Sequence, residues 1–231
     1  MLQSHLPSVL ELRYFSLLLF AQSIIVFGQL ERQNGLSITI KGPNTKIDGV
    51  TAKDASAQTQ HLRFLTEEYQ EAKVDDLKDK FYFRYNIFAD EMEFIKDGTV
   101  YFLSKTENQI IHFVNLGKKF TVLNLNGELK YFEINAKGKA SLYSKKNVAF
   151  IEGKVAKTQF ESSKKAKFIS KKDEHFVALN NELVKLPKGK KDFYNLFGNK
   201  SSKIKNFMKQ EKLNRKKIDD VTKVFNYYNS I

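Results

Sequence analysis

The chain has 231 residues, 42% hydrophobic and 28% charged, enough apolar side chain to bury a core and too much for wholesale disorder. It contains no Cys, which excludes disulfides, thiolate nucleophiles, Cys-bound zinc, iron–sulfur clusters and a Cys-linked lipid anchor. Its net charge of +13 is one-sided: residues 138–231 carry 23 Lys/Arg against 9 Asp/Glu, and residues 1–137 carry 16 against 17. That polarity points to an anionic partner for the second part, with a lysine-rich surface that serves solubility as the plain alternative. Aromatic side chains are abundant, 20 Phe and 10 Tyr, but Trp is absent, which disfavours a carbohydrate module built on Trp platforms.

Residues 12–27, LRYFSLLLFAQSIIVF, form an apolar run with Arg13 near its start. It is short for a bilayer span, which takes about 20 residues. Its end, Val26-Phe27-Gly28, fits a secretory signal peptide cut after Gly28, and an uncleaved anchor or a buried helix are the alternatives. The leader is long and contains Glu11, so the start codon is expected downstream of Met1. Residues 29–60 read as a flexible lead-in holding one short strand, Leu36 to Ile40. His61 to Tyr69 reads as a helical turn or docking segment, and regular β structure is expected from Val74 onward.

Phe81 to Leu103 carries the clearest alternation. Phe81, Phe83, Tyr85 and Ile87 share one face and Tyr82, Arg84, Asn86 and Phe88 the other. A turn follows at Ala89-Asp90, then Met92 and Phe94 oppose Glu93 and Ile95. Asp97-Gly98 is a type I′ turn signal, because both central residues need positive φ. Strands are expected at 109–114, 119–125 and 128–134, the last two joined at Asn126-Gly127. Beyond Gly138, KASLYSK and NVAFIEG are expected to pair across Lys145-Lys146-Asn147. Further strands are placed at 165–170, 174–179 and 182–186, and the lysines of 164–172 would guard a sheet edge.

From Pro187 the period becomes helical. Asp192 to Phe197 forms one turn ended by Gly198, and Ser201 or Ser202 caps a helix with Ile204, Phe207 and Met208 on one stripe. A last helix, about Lys216 to Tyr228, places Ile218, Val221, Val224, Phe225 and Tyr228 on one face, with Asp219 and Asp220 in its first turn. The expected fold is mainly β (α+β): an antiparallel sheet, sandwich or open barrel of short strands with a small helical C-terminal cap. Its parts are a signal peptide (1–28), the lead-in (29–60), an antiparallel β domain (61–187) and a basic helical cap packed on the sheet (188–231).

Four stretches, LTEEYQEAKV (65–74), RYNIFADEMEF (84–94), GKASLYSKK (138–146) and KVFNYYNS (223–230), resemble a family of small exported proteins of Bacteroidota, mostly uncharacterised. The resemblance implies an envelope location and supplies no catalytic residue, ligand or cofactor. Ala72 stands where that family's pattern leads us to expect a turn glycine before the strand.

No residue is assigned a catalytic, cofactor or metal role. Asp90, Glu91 and Glu93 form the most enzyme-like cluster, read instead as a turn residue, a strand-edge charge and a cross-strand ion pair with Arg84. Of the four histidines, His5 leaves with the leader, and His61, His112 and His175 are far apart in sequence. His112, between Ile111 and Phe113, reads as a satisfied sheet histidine. There is no G-x-S-x-G, H-E-x-x-H, Walker A or G-x-G-x-x-G pattern. The candidate anion-binding residues are Lys164, Lys165, Lys167, Lys171 and Lys172, interleaved with Phe168 and Ile169, and Lys203, Lys205, Lys209, Lys212, Arg215, Lys216 and Lys217 in the tail. The functional expectation is an exported, non-enzymatic envelope protein that binds a protein partner or an anionic envelope surface, nucleic acid being disfavoured as its partner. The alternative is a hydrolase or lipid-handling enzyme whose pocket is assembled from separate strands.

Overall fold

In the computed structural model the described residues are 30–33, 36–39, 56–75, 80–96, 98–158, 160–180 and 182–231. The signal peptide and most of the lead-in lie outside them, as does Asp97 of the Asp97-Gly98 turn. Within the lead-in, β1 (Leu30–Gln33) and β2 (Leu36–Thr39) pair with each other, and β2 pairs with β6 (Thr99–Leu103).

Alternation over Phe81–Asn86 builds β4, whose Phe83 and Tyr85 are buried while Tyr82 is 58% exposed. β5 (Glu91–Lys96) and β6 continue the meander. On the other flank of β4 lies β3 (Gln70–Val74), which starts four residues before the expected point. Ala72 is therefore no turn residue. It sits in mid-strand, fully buried, in register with Phe81 on one side and Phe113 on the other. β7 (Ile110–Phe113), β8 (Lys118–Leu125), β9 (Glu128–Ala136) and β10 (Ala140–Lys145) follow in spatial order. The β8–β9 turn has φ of 55° at Asn126 and 89° at Gly127, the left-handed pair that Asn-Gly accommodates.

At Lys145 the expected meander fails. β10 pairs not with the next strand but with β13 (Glu174–Leu179), which pairs in turn with β14 (Glu182–Lys185). Residues 147–172 make an excursion, in which β11 (Val148–Ile151) pairs with β12 (Lys167–Ser170) as a separate two-stranded ribbon. The reason lies at the base of the excursion. Lys146 at its exit bonds Asp173 at its return (2.7 Å), and the Lys171 N–H donates to the Asn147 carbonyl (2.9 Å). The lysine-bearing strand thus belongs to the ribbon and not to an edge of the main sheet.

The ten main-sheet strands from β3 to β14 form a curled half-barrel. Three strands lie between Tyr85 of β4 and Tyr131 of β9 in the sheet, yet their rings lie 5.7 Å apart. The sheet must therefore curl toward the face these tyrosines share. That face holds one apolar core around Phe83, Tyr85, Phe113, Phe120 and Tyr131.

The second core lies where the C-terminal helices cover the far end of the sheet. α1 (Lys190–Asn195), a 3-10 turn (Gly198–Lys200), α2 (Ser201–Gln210) and α3 (Ile218–Ser230) enclose Phe193, Phe197, Ile204, Val224 and Phe225 against Leu142 and Val177. Of the expected stripes, Ile204 and Met208 on α2 and Val221, Val224 and Phe225 on α3 are buried, while Phe207, Ile218 and Tyr228 are half-buried. Ser201 and Ser202 do not cap α2: the 3-10 turn runs straight into it, and Lys200, with no side-chain cap bond, holds the N-cap position. α3 is tied to β10 by Asn229, whose amide donates to the Ala140 carbonyl and accepts from the Ala140 N–H, both at 2.9 Å. Among the described residues no helix is long and apolar enough to cross a membrane.

Candidate functional site

The ribbon stands on an aromatic base. Phe168 of β12, 1% exposed, packs against Phe88 (5.1 Å) and Phe150 (5.2 Å), and the Arg63 guanidinium lies over its ring at 5.5 Å. A 3-10 segment, Ala57–Arg63, links ribbon to sheet. On one side the Ser56 N–H donates to the Ala166 carbonyl (2.8 Å) and the Phe168 N–H to Thr59 Oγ1 (3.1 Å). On the other, the Ile87 N–H donates to the Arg63 carbonyl (2.7 Å).

Beyond β11 and β12 the two arms stay paired through reciprocal Lys154–Lys164 backbone bonds of 2.8 and 2.7 Å. Gly153 permits this approach, since a Cβ there would sit 2.9 Å from both the Ala166 nitrogen and the Lys164 oxygen. Past the bridge, Val155 is 80% and Phe160 90% exposed. Leaving a Phe in water forgoes about 2 kcal/mol of transfer free energy, so an isolated aromatic at a tip is a costly feature of the fold itself. Local bonds brace this tip: the Ala156 N–H donates to Ser163 Oγ (3.0 Å), and the Glu161 N–H to the Thr158 carbonyl (3.2 Å).

The candidate anion-binding residues fall into two groups on different elements. Lys164, Lys165, Lys167, Lys171 and Lys172 are exposed on the returning arm of the ribbon. Lys203, Lys205 and Lys209 are exposed on α2, and Lys212, Lys216 and Lys217 on the α2–α3 loop. Arg215 differs: it donates to the Lys188 carbonyl (3.1 Å) and lies over the Phe193 ring, holding that loop to the start of α1. Lys205 lies over the Tyr194 ring at 5.2 Å. Among the described residues none of these lysines is within ion-pair distance of a carboxylate, whereas Lys105, Lys118, Lys146, Lys154 and Lys185 are.

Beneath the ribbon's base a polar belt separates the two cores. Cross-strand register puts Phe120, Glu133, Ser144 and His175 on the concave face, with Leu142 and Val177 one step further along. Glu133, 8% exposed, holds Lys118 with one oxygen and Lys146 with the other (3.0 Å). Burial pulls the Glu133 carboxyl upward, but hydrogen bonds from the two lysines outweigh it and leave its pKa below the ordinary 4.5. Lys146 is likewise disfavoured as a cation by burial, yet Asp173 and Glu133 raise its pKa above the usual lysine value.

Ser144, 2% exposed, donates its hydroxyl proton to Asn135 Oδ1 at 2.6 Å. A hydroxyl has a single proton to give, so the 2.8 Å contact with His175 must run from Nδ1–H to Ser144 Oγ. The imidazole is a donor here and not a base on Ser144. Burial, reinforced by Lys146, lowers the His175 pKa below 6.5 despite the opposing pull of Asp173. Sequence reasoning missed this belt, because its members come from four strands and a loop and share no local motif.

An open cleft of about 450 Å³ lies between the 3-10 segment and the ribbon base. Leu62, Phe64, Leu65, Ile87 and Val148 give it apolar walls, and Lys146, Lys171 and Asp173 a charged rim. Lys171 is the candidate lysine that lines this cleft.

The acidic cluster keeps its expected turn and its cross-strand ion pair, and adds burial to both. Glu93 does pair with Arg84, at 2.7 Å, but it is 4% exposed and also accepts from Asn86 Nδ2 at 2.7 Å. Asp90 is the expected turn residue, but it is buried there, and the Tyr85 hydroxyl donates to it at 2.7 Å. Among the described residues no group of three or more His, Asp or Glu is arranged to hold a metal ion. Compared with known proteins, the chain matches no family model, no curated protein and no solved structure.

Proposed function

We propose that this chain is an exported, non-enzymatic protein of the cell envelope that binds an anionic surface through its unpaired lysines. The carrying observation is the division of labour among cations. Lysines that hold the fold together face carboxylates, while those on the ribbon's returning arm, on α2 and on the α2–α3 loop face solvent with none in range among the described residues. Clustered uncompensated charge raises the potential outside a surface and draws counter-charged partners to it. The leader pattern of residues 12–28 and the resemblance to small exported proteins of Bacteroidota support the envelope location.

Co-sedimentation of the purified protein with outer-membrane vesicles across a salt series tests the reading. Pelleting is expected at low salt and should fall steeply as the Debye length shrinks from about 10 Å at 0.1 M to about 3 Å at 1 M. Pelleting indifferent to salt would sink the proposal in favour of an apolar or protein contact. Absence of pelleting throughout would sink it as well.

A further inference from the structure

We infer that the tip of the β11–β12 ribbon is a bilayer wedge, with Phe160 and Val155 entering the interface of an anionic phospholipid membrane while the ribbon lysines hold its headgroups. The inference rests on the anionic-surface reading and adds to it the lipid and the inserting residues.

Three observations converge on it. The two large apolar side chains most exposed among the described residues, Phe160 at 90% and Val155 at 80%, both lie past the Lys154–Lys164 bridge. The returning arm next to them bears Lys164, Lys165 and Lys167, all exposed and without a carboxylate partner among the described residues. The tip is also built rather than slack: Gly153 lets its arms close, and the Ser163 hydroxyl fastens one arm to the other.

The geometry favours a lipid surface over a protein. A stable protein interface takes about 800 Å² from each partner, more than a narrow hairpin tip with two apolar side chains presents. A bilayer interface asks for less: an apolar side chain at headgroup depth and cations beside anionic lipid, each adding its own increment. Aromatic rings suit that depth, where one side is apolar and the other wet. The two tip residues also lie on the same short hairpin as the unpaired Lys164, Lys165 and Lys167, so burying the one brings the other to the headgroups.

The chain contains no Trp, so Phe160→Trp installs a single indole, excited selectively over tyrosine, at the tip of the full protein. On phosphatidylcholine vesicles containing phosphatidylglycerol its emission is expected to shift to the blue and to be quenched by lipids brominated in the acyl chain, and on phosphatidylcholine alone it should do neither. Lys164→Glu with Lys165→Glu should weaken binding at least about tenfold. Phe160→Ser should weaken it while leaving a remainder that salt removes. If Phe160→Trp binds the anionic vesicles with unchanged emission, the wedge is overturned and the anionic-surface reading survives. If no phosphatidylglycerol-dependent binding occurs, while outer-membrane vesicles still pellet the protein in a salt-sensitive way, phospholipid is excluded as the anionic partner and the wedge falls with it. Failure in both vesicle systems overturns both readings.

Discussion

The backbone N–H of Tyr131 points at the carboxylate of Asp90, 3.3 Å from one oxygen and 3.4 Å from the other, across 41 residues of sequence. Asp90 sits at φ 54° in the β4–β5 turn and also pairs with Lys105 at 3.1 Å. This one side chain latches the turn to the middle of β9 and fixes the curl of the sheet. It also accepts the Tyr85 hydroxyl, so the two tyrosines that meet inside the barrel are both anchored to the same carboxylate. Burial, with Asp90 close by, pushes the Tyr85 and Tyr131 hydroxyls well above the usual tyrosine pKa, so both stay protonated as donors.

Asp90→Ala should cost about 3–5 kcal/mol, since it strips Lys105 and two donors of their partner at a left-handed backbone position. Tyr85→Phe, which removes one bond and keeps the ring, should cost about 1 kcal/mol. Urea unfolding of the two variants checks the ratio. Near-equal losses would mean the latch is ordinary packing.

Acid stability should depend on Glu133. Its pKa is depressed in the fold, so its contribution is complete above the unfolded value near 4.5 and is lost as pH falls through the lower folded value. Glu133→Gln should cost about 2 kcal/mol at pH 7 and flatten the acid limb of the stability curve below pH 4.5. Chemical denaturation at a series of pH values measures both. An acid limb as steep as that of the unaltered protein would move the titration elsewhere.

His175 should stay neutral as the Nδ1–H tautomer, which nitrogen-15 shifts of the imidazole report directly. Because its pKa lies below 6.5, the unfolded chain takes up a proton before the folded one as pH falls. It therefore subtracts stability below pH 6.5, and Ser144→Ala should cost a further 1–3 kcal/mol, approximately, by leaving the Nδ1–H and Asn135 Oδ1 unpaired. An Nε2–H tautomer would refute the assigned donor direction.

Gly153→Val should open the ribbon without unfolding the sheet. Its side chain would collide with backbone atoms 2.9 Å away on the opposite arm, where nothing can rotate aside. Hydrogen exchange should then show lost protection at the Lys154 and Lys164 amides and unchanged protection in β9 and β10. Loss of protection throughout would make the ribbon part of the cooperative core.

The C-terminal helix should be coupled to the β9–β10 turn. Asn229→Ala removes both bonds to Ala140 and is expected to cost about 1–2 kcal/mol. A Cβ at Gly138 would meet the Asn229 side chain at 2.5 Å, so Gly138→Ala should harm the unaltered protein more than the Asn229→Ala variant. A double-mutant cycle in thermal unfolding measures this coupling, and strict additivity would deny it.

The sequence by itself determined whatever is decided between near neighbours. Alternation placed β4 to β9 within a residue or two, Asn126-Gly127 set its hairpin, and the stripes Ile204–Met208 and Val221–Phe225 marked the buried faces of α2 and α3. These signals are local because side-chain periodicity and left-handed turns are properties of a few consecutive residues. Tertiary structure decided the rest. Whether β10 would pair with β11 or with β13 rests on Lys146 reaching Asp173 and Glu133. That the turn residue Asp90 is also a buried latch rests on the position of Tyr131. Phe160 stands alone among polar residues in the sequence, and only the fold shows that it is 90% exposed and not one more core ring. Contacts of this kind join residues tens of positions apart, and period and composition carry no record of which distant group will arrive.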